Sequence, residues 1–219
     1  MPKSILTEQF GNLAASDTKL LFSSIADTYL GIGRSTTFGD SDANVKDAIY
    51  TTVYRNQIYR NLEAIKQIQP ADVQLVIPRV DWKAGNLYDA YDDISANLFD
   101  GNTKFYVMNS DYSVYKCIAN NSGKSSTVEP TSFNTGATVS TSDGYVWKYM
   151  YTLNDVERVR FTTDNYIPVK TLSLNDGSLQ WQVQSKATEG SIEAIFVANS
   201  GQYYTNTSNI VITISGDGQ

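Results

Sequence analysis

The sequence predicts an α+β protein in which N-terminal helices are followed by mostly antiparallel β-structure. Two observations lead to this fold class. Apolar residues at helical spacing are confined to the part of the chain before Pro70, and beyond Ala71 the apolar residues alternate in short runs between turn residues. The length of 219 residues and a hydrophobic content of 41% are sufficient for the core of one large or two modest domains.

Two helices are predicted in the N-terminal region. The first covers residues 16–25, where Ser16 can serve as the N-cap. The second covers residues 44–67 and ends before a proline. The apolar residues of this second helix fall on two nearly opposite faces. Either the helix is sandwiched between two partners, or it breaks near Arg55.

The remaining chain is predicted to be mainly β-structure. Predicted strands cover residues 28–34, 73–77, 104–109, 112–119, 145–153, 164–172, 180–184, 191–197 and 209–214. The third and fourth of these bracket Ser110-Asp111 and so predict a hairpin. Residues 120–141, rich in Ser, Thr, Asn and Gly, are predicted to form a long loop.

A domain boundary is predicted near residue 175. Residues 1–175 then form an α+β domain, and residues 176–219 form a small β segment. Beyond Gly190 this segment is typical of a short β-repeat, with a strand, an Asn/Gly turn, a tyrosine pair and a second strand. The chain stops where a further strand is expected, so we interpret the segment as the start of a repeat domain that is cut short; the alternative is a frayed terminus at Asp217-Gly218-Gln219.

Composition excludes several classes of function. The formal net charge of −6, without a basic run, argues against binding of nucleic acid. The absence of histidine removes the commonest general base and metal ligand, and with them Ser-His-Asp and Cys-His catalysis. The single cysteine, Cys117, excludes an intrachain disulfide. The sequence contains neither an apolar run long enough to span a membrane nor a signal-peptide core.

Two short motifs resemble ligand sites but lack residues that those sites need. Gly123-Lys124-Ser125 resembles the end of a phosphate-binding loop, but Ile118 stands where the first glycine of that loop belongs. Asp89, Asp92 and Asp93 could bind a hard cation, but the glycine and terminal glutamate of a calcium loop are missing. We interpret the first motif as a loop tip and the second as solvated carboxylates between packed tyrosines.

The segment Val76–Trp82 carries an acidic and a cationic side chain two residues apart. Arg79 and Asp81 could act as an acid and electrophile pair, but catalysis is disfavoured without a histidine or a second placed carboxylate. A structural interpretation is favoured, in which Arg79 pairs with a carboxylate and Trp82 anchors the segment in a pocket. We expect Trp82 and Trp147 to be substantially buried.

The chain contains 15 tyrosines, which is its main general indication of function. A tyrosine packs its ring and keeps a wet hydroxyl, so tyrosines are enriched at protein interfaces. They also occur in β-rich cores and, less often, on sugar-binding faces. Composition leaves the interface and core interpretations equally open.

Five blocks of the sequence occur in an order that is similar to a known family. They are Tyr29–Ser35, Val76–Trp82 (the most specific, Val-Ile-Pro-Arg-Val-Asp-Trp), Tyr88–Asp93, Val114–Asn121, and Ser126–Thr131 followed by Asp143–Tyr149. Together they resemble the dimeric baseplate wedge proteins of T-even-like contractile-tailed phages and their cyanophage relatives. Two departures are evident: the proline-rich stretch after Gly-Arg-Ser is missing, and the chain beyond Gly190 does not match.

The resemblance implies a structural subunit of the virion baseplate that lacks a catalytic site and a cofactor and is assembled in the host cytoplasm. It implies a homodimer that holds neighbouring wedge proteins together and rearranges on sheath contraction, and it implies no nucleic-acid, membrane or small-molecule partner. The expected structural or interface anchors are Arg34, Arg79, Asp81, Trp82, Tyr88, Tyr91, Tyr145 and Trp147. The alternatives are a tail-associated carbohydrate-binding or host-adhesion module and, from the aspartate cluster, a hydrolase with paired carboxylates.

Overall fold

The computed structural model describes residues 8–24, 27–33, 51–92, 98, 102–188 and 192. Helices and antiparallel strands in these ranges confirm the predicted α+β class. The chain divides into two compact units, Met1–Leu75 and Val76–Gln219. The boundary predicted near residue 175 falls inside the second unit and stays a prediction, because most of residues 176–219 lie outside the described ranges. None of the helices in the described ranges is long and apolar enough to cross a membrane.

The described residues of the first unit form two helices and a two-stranded sheet. Its elements are α1 (Glu8–Ser24), β1 (Tyr29–Gly33), α2 (Thr52–Arg60), β2 (Leu62–Gln67) and a 3₁₀ turn at Pro70–Asp72. The predicted first helix is present but begins earlier, so Ser16 lies inside α1 rather than at its cap. Strands β1 and β2 pair antiparallel, with Tyr29 opposite Gln67 and Gly33 opposite Leu62.

The predicted helix over residues 44–67 is wrong in its second half. Helix α2 ends at Arg60, where the Asn61 N–H still donates to helical carbonyls, and the next residue begins β2. Helix α2 is continuous through Arg55, but it begins only after Thr51, whose backbone is extended, and it ends before Asn61. Leu62 and Ile65, which the prediction placed on one helical face with Tyr54 and Ile58, belong instead to a strand that pairs with β1. Residues 44–50 lie outside the described ranges.

The second unit is built on a four-stranded antiparallel sheet. The strands of this sheet are β4 (Tyr106–Met108), β5 (Ser113–Asn120), β6 (Val139–Ser140) and β7 (Tyr145–Thr152). Two further strands are β3 (Leu75–Pro78), which begins at the boundary between the units, and β8 (Tyr166–Val169). The sheet has the order β4-β5-β7-β6, and β3 pairs separately with β8. The predicted hairpin is confirmed, since β4 and β5 pair with Val107 opposite Tyr115. The predicted loop over residues 120–141 is irregular at residues 121–138, between β5 and β6.

Two helices of the second unit were not predicted. Helix α3 (Asp155–Phe161) begins with a capping box between Asn154 and Glu157. Helix α4 (Leu179–Lys186) occupies the predicted strand over residues 180–184, so that prediction is wrong. The Ser178 Oγ caps α4 by accepting a hydrogen bond from the Trp181 N–H at 3.1 Å. The predicted strands at 191–197 and 209–214 fall, except for Ile192, outside the described ranges.

Two clusters of buried side chains form the core of the second unit. An aromatic cluster contains Tyr88, Val107, Tyr115, Cys117, Tyr145, Trp147, Tyr149 and Val183. A second cluster contains Met108, Val114, Tyr151, Leu153 and Ile167. Both draw on β4, β5 and β7, so the central strands of the sheet hold the core. Burial, with a smaller effect of the Asp89 carboxylate, raises the pKa of the Cys117 thiol to about 12.

Candidate interaction site

The Arg79 side chain is paired within its own segment. Its Nε donates to Asp81 Oδ1 at 2.8 Å, and its Nη1 donates to the Thr163 carbonyl at 3.1 Å. The hydrogen bond to Asp81 raises the pKa of Arg79 against the opposing effect of burial. Asp81 also forms a β-bridge with Met108. The pair therefore links the end of β3 to the sheet and to the turn before β8.

Trp82 packs against the aromatic cluster and is fixed by its ring nitrogen. The ring is partly buried, and its Nε1 donates to the Ser126 Oγ at 3.1 Å. Ser126 is fully buried, and its hydroxyl donates in turn to Asp143 Oδ2 at 3.0 Å. The predicted anchoring of Trp82 thus takes the form of a hydrogen-bond relay into the turn before β7.

The Asp143 carboxylate accepts several hydrogen bonds from residues of the long connection after β5. Its carboxylate accepts the Thr127 and Val128 N–H groups at 2.7 and 3.0 Å and also the Thr141 hydroxyl. Burial acts to raise the pKa of Asp143, but these hydrogen bonds outweigh it and hold the pKa at about 2. Asp143 was not among the predicted anchors. The signal that could have identified it is the Asp143-Gly144 pair before an alternating strand, because this pair is typical of a turn whose aspartate accepts backbone hydrogen bonds.

Tyr88, Tyr145 and Trp147 meet in the aromatic cluster. The Tyr145 and Trp147 rings stack at a centroid distance of 5.3 Å, and the edge of Tyr88 meets Trp147 at 5.8 Å. The Tyr145 hydroxyl accepts the Tyr88 N–H at 3.3 Å and donates to the Lys124 carbonyl. All three side chains are 0% exposed, so the expected burial of Trp147 is confirmed. The stacked ring faces are consequently not available to a sugar.

The other predicted anchors are placed differently. Tyr91 is partly buried and packs on Phe105 at a centroid distance of 5.5 Å, with the Lys116 ammonium 4.4 Å from its ring centroid. Arg34 lies outside the described ranges. Asp89 accepts the Lys104 N–H at 2.8 Å and thus joins two segments that are fifteen residues apart in the chain. Among the described residues, no group of three His, Cys, Asp or Glu side chains could hold a metal ion.

The first unit leaves its apolar side chains at the surface. None of its residues whose exposure is described is buried. On one face of the β1–β2 sheet Leu30 and Ile32 are 55% and 61% exposed, and on the opposite face Tyr29 and Ile65 are 54% and 61% exposed. We call these four side chains the apolar hairpin surface. Sequence reasoning placed β1 correctly but did not predict that both of its faces are open, because its pairing partner was taken for a helix.

A scan against protein-family models found no matching family, and a search of curated proteins found no matching sequence. The function is therefore inferred from the ordered sequence blocks and from the geometry of the described residues.

Proposed function

We propose that the chain is a non-enzymatic structural subunit of a phage tail baseplate wedge, which dimerises, holds neighbouring wedge proteins together and rearranges on sheath contraction. The observation that carries this proposal is the apolar hairpin surface of the first unit. An isolated two-stranded sheet is marginally stable in water, and its stability depends on burial of at least one apolar face. Described apolar side chains on both faces of this sheet are exposed, and a partner chain that covers them would stabilise it.

The physics of burial favours association through this surface. Removal of apolar surface from water contributes about 25 cal/mol for each Å². An antiparallel sheet that faces water normally carries polar residues on its wet face, whereas Leu30, Ile32, Tyr29 and Ile65 supply apolar side chains to both faces. Each strand of a two-stranded sheet also has an outer edge that can pair with a strand of another chain.

The second unit supports a structural role in a different way. The four sequence blocks that lie in the second unit contribute to its aromatic core: Trp82 donates to Ser126, Ser126 donates to Asp143, and Tyr88 packs on Trp147. A catalytic group must touch a substrate, yet these side chains are used for packing and for internal hydrogen bonds. The blocks therefore act as determinants of a fold, as expected for a subunit whose work is done at interfaces.

The proposal is tested by measuring the mass of the full-length protein in solution by size-exclusion chromatography with light scattering over a range of concentrations. We expect a dimer or a larger species, and we expect Leu30→Lys to shift it towards the monomer, because the variant places a charge on the apolar hairpin surface. Val159→Lys is the matched control, since Val159 is an apolar residue of α3 in the second unit that is 85% exposed.

Two outcomes would overturn the proposal. The first is a wild-type protein that stays monomeric at every concentration and fails to join neighbouring wedge proteins on co-expression. The second is equal dissociation by Leu30→Lys and Val159→Lys. Far-ultraviolet circular dichroism checks that both variants keep their secondary structure.

A further inference from the structure

The outer edge of β1 in the first unit carries backbone groups that point away from β2. The Ile68 N–H donates to the Thr28 carbonyl at 2.8 Å, in the pair of residues that continues the β1–β2 register. Bonded and non-bonded pairs alternate along an antiparallel ladder, so every second residue counted from Thr28 bonds to β2. The N–H and carbonyl groups of Tyr29 and Gly31 therefore face the outer edge, and all five residues of β1 are exposed. Among the described residues, no backbone hydrogen bond reaches these outer groups.

The two edges of this small sheet differ in charge. Strand β1, with the sequence Tyr-Leu-Gly-Ile-Gly, contains no charged residue, whereas β2 carries Glu63 and Lys66. Charged side chains on an edge strand discourage the addition of another strand. The edge of β2 is thus protected, and the edge of β1 is the one that can add a strand by main-chain hydrogen bonds.

The outer edge of β1 is complementary to a second copy of itself. Two β1 strands that run antiparallel about a two-fold axis at Gly31 place the outward groups of Gly31 against each other. In this register all five residues of the strand are paired, and Tyr29 stands opposite Gly33 of the second copy. Leu30 stands opposite Ile32 of the second copy, so that apolar side chains meet across the junction.

The ends of β1 favour a second copy over an unrelated strand. In the sequence Asp27 precedes the strand and Arg34 follows it directly. Antiparallel pairing of two copies brings the acidic end of one strand next to the basic end of the other, which is the favourable arrangement of charges. Such a contact uses the same patch on both chains, so it closes as a dimer and does not propagate.

We propose that two copies of the chain join edge to edge through β1, with Gly31 at the two-fold axis, and form one four-stranded antiparallel sheet of the order β2-β1-β1-β2. The inference rests on the dimerisation proposed above and specifies its geometry. A two-stranded sheet is marginal in water, whereas three or more strands with an apolar face are stable. In the joined sheet, Leu30 and Ile32 of both copies form one continuous apolar cluster on the same face.

Disulfide cross-linking of the full-length protein tests the register. Facing residues of a non-bonded antiparallel pair have Cα atoms about 4.5 Å apart, which a disulfide can bridge. We expect oxidation of an equimolar mixture of Leu30→Cys and Ile32→Cys, after exchange of subunits, to give a covalent dimer on non-reducing gels. Each variant oxidised alone should give about fivefold less, because identical residues are offset by two positions along the strands. Cys117 is fully buried in the second unit, and wild type gives its background.

Two proline variants separate edge pairing from packing through a face of the sheet. Tyr29→Pro and Ile65→Pro each remove one apolar side chain from the same face and one outward N–H, but at opposite edges. Tyr29→Pro should weaken dimerisation about tenfold or more, since the two-fold axis makes it remove two hydrogen bonds. Ile65→Pro should change dimerisation by less than about threefold. Light scattering over a dilution series measures both, and circular dichroism checks folding.

The outcomes distinguish this inference from the proposed function. If wild type dimerises but the cysteine mixture cross-links no better than its single variants, edge pairing through β1 is overturned and the proposed function stands. Equal weakening by Tyr29→Pro and Ile65→Pro has the same meaning, because it indicates packing through a face. A wild-type protein that is monomeric at every concentration would overturn both.

Discussion

At the scale of the residue, a single carboxylate organises the connection between two core strands. Asp143 accepts hydrogen bonds from three backbone N–H groups and from the hydroxyls of Ser126 and Thr141. Through Ser126 it also fixes the ring nitrogen of Trp82. One side chain therefore joins the long connection after β5 to the turn before β7 and to the segment after β3.

The stability supplied by Asp143 depends on pH in a defined direction. Its pKa in the folded protein, about 2, lies below its ordinary value of 3.8. The contribution is therefore fully present above the ordinary value and is lost as the pH falls through the folded value. Asp143→Asn should lower the free energy of unfolding by about 1–2 kcal/mol at pH 6, because the amide accepts fewer and weaker hydrogen bonds. Urea unfolding followed by tryptophan fluorescence measures this difference.

The same experiment at a pH near the folded pKa supplies the decisive comparison for Asp143. There about half of the folded wild-type carboxyls are protonated and much of the stabilising effect of the charge is lost, so the gap between wild type and Asp143→Asn should narrow. Asp111→Asn, at an exposed position in the β4–β5 turn, should have little effect at either pH. A gap between wild type and Asp143→Asn that is the same at both pH values would contradict the role of the charge.

Some residue roles could be predicted from the sequence and others could not. The burial of Trp147 followed from its place in an alternating aromatic strand. The sequence did not identify which carboxylate pairs with Arg79. Asp81, two residues away, can pair with it only when the chain bends suitably between the two residues. The pairing of Lys116 with Lys148 across β5 and β7 was not predicted, since it depends on strand register.

At the scale of the element, side chains decide between helix and strand at α4. The segment Gln180-Trp181-Gln182-Val183-Gln184 alternates polar and apolar residues, and this pattern predicted a strand. In the structure the Gln184 amide both donates to the Leu172 carbonyl and accepts the Leu172 N–H, and Gln180 Nε2 donates to the Lys170 carbonyl at 2.7 Å. Positions four apart share a helical face, so both glutamines reach the same extended segment. Local alternation cannot reveal such tertiary hydrogen bonds.

Gln184→Ala should therefore loosen α4 from the segment that follows β8. We expect a loss of about 1–2 kcal/mol in unfolding free energy, because both backbone groups of the half-buried Leu172 lose their partner. Relative to wild type, Gln184→Ala should accelerate hydrogen exchange more in α4 than in β7. Ser185→Ala, at an exposed position of the same helix, is the control and should change neither quantity appreciably. Unchanged protection of α4 in Gln184→Ala would exclude this anchoring role.

At the scale of the whole molecule, burial is distributed unequally between the two units. The second unit has two buried clusters, whereas in the first unit no residue whose exposure is described is buried. The apolar pattern predicted the core strands β5 and β7 well, although burial alternates only along β7, whereas β5 is buried at most of its positions. The pattern failed at β2, because the apolar residues Leu62 and Ile65 also fit the helical spacing of the segment before them. The local sequence does not indicate that this segment pairs with β1.

This inequality predicts two regimes of hydrogen exchange in the full-length protein. Amides of β5 and β7 should exchange slowly at every protein concentration, because their opening requires disruption of the core. Amides of β1 and β2 should exchange quickly in dilute protein and become protected as the concentration rises and a partner covers the apolar hairpin surface. Mass spectrometry of peptic fragments over a dilution series distinguishes the two. Protection of β1 and β2 that is independent of concentration would argue against a partner at this surface.

Cys117, the single cysteine of the chain, is fully buried on β5 and carries a raised pKa. A thiol reagent needs both access and the thiolate, and the folded second unit withholds both. Alkylation can then proceed only in molecules whose β5 has separated from its neighbours. The rate at which Cys117 is labelled therefore reports how often the central sheet opens, without any engineered residue.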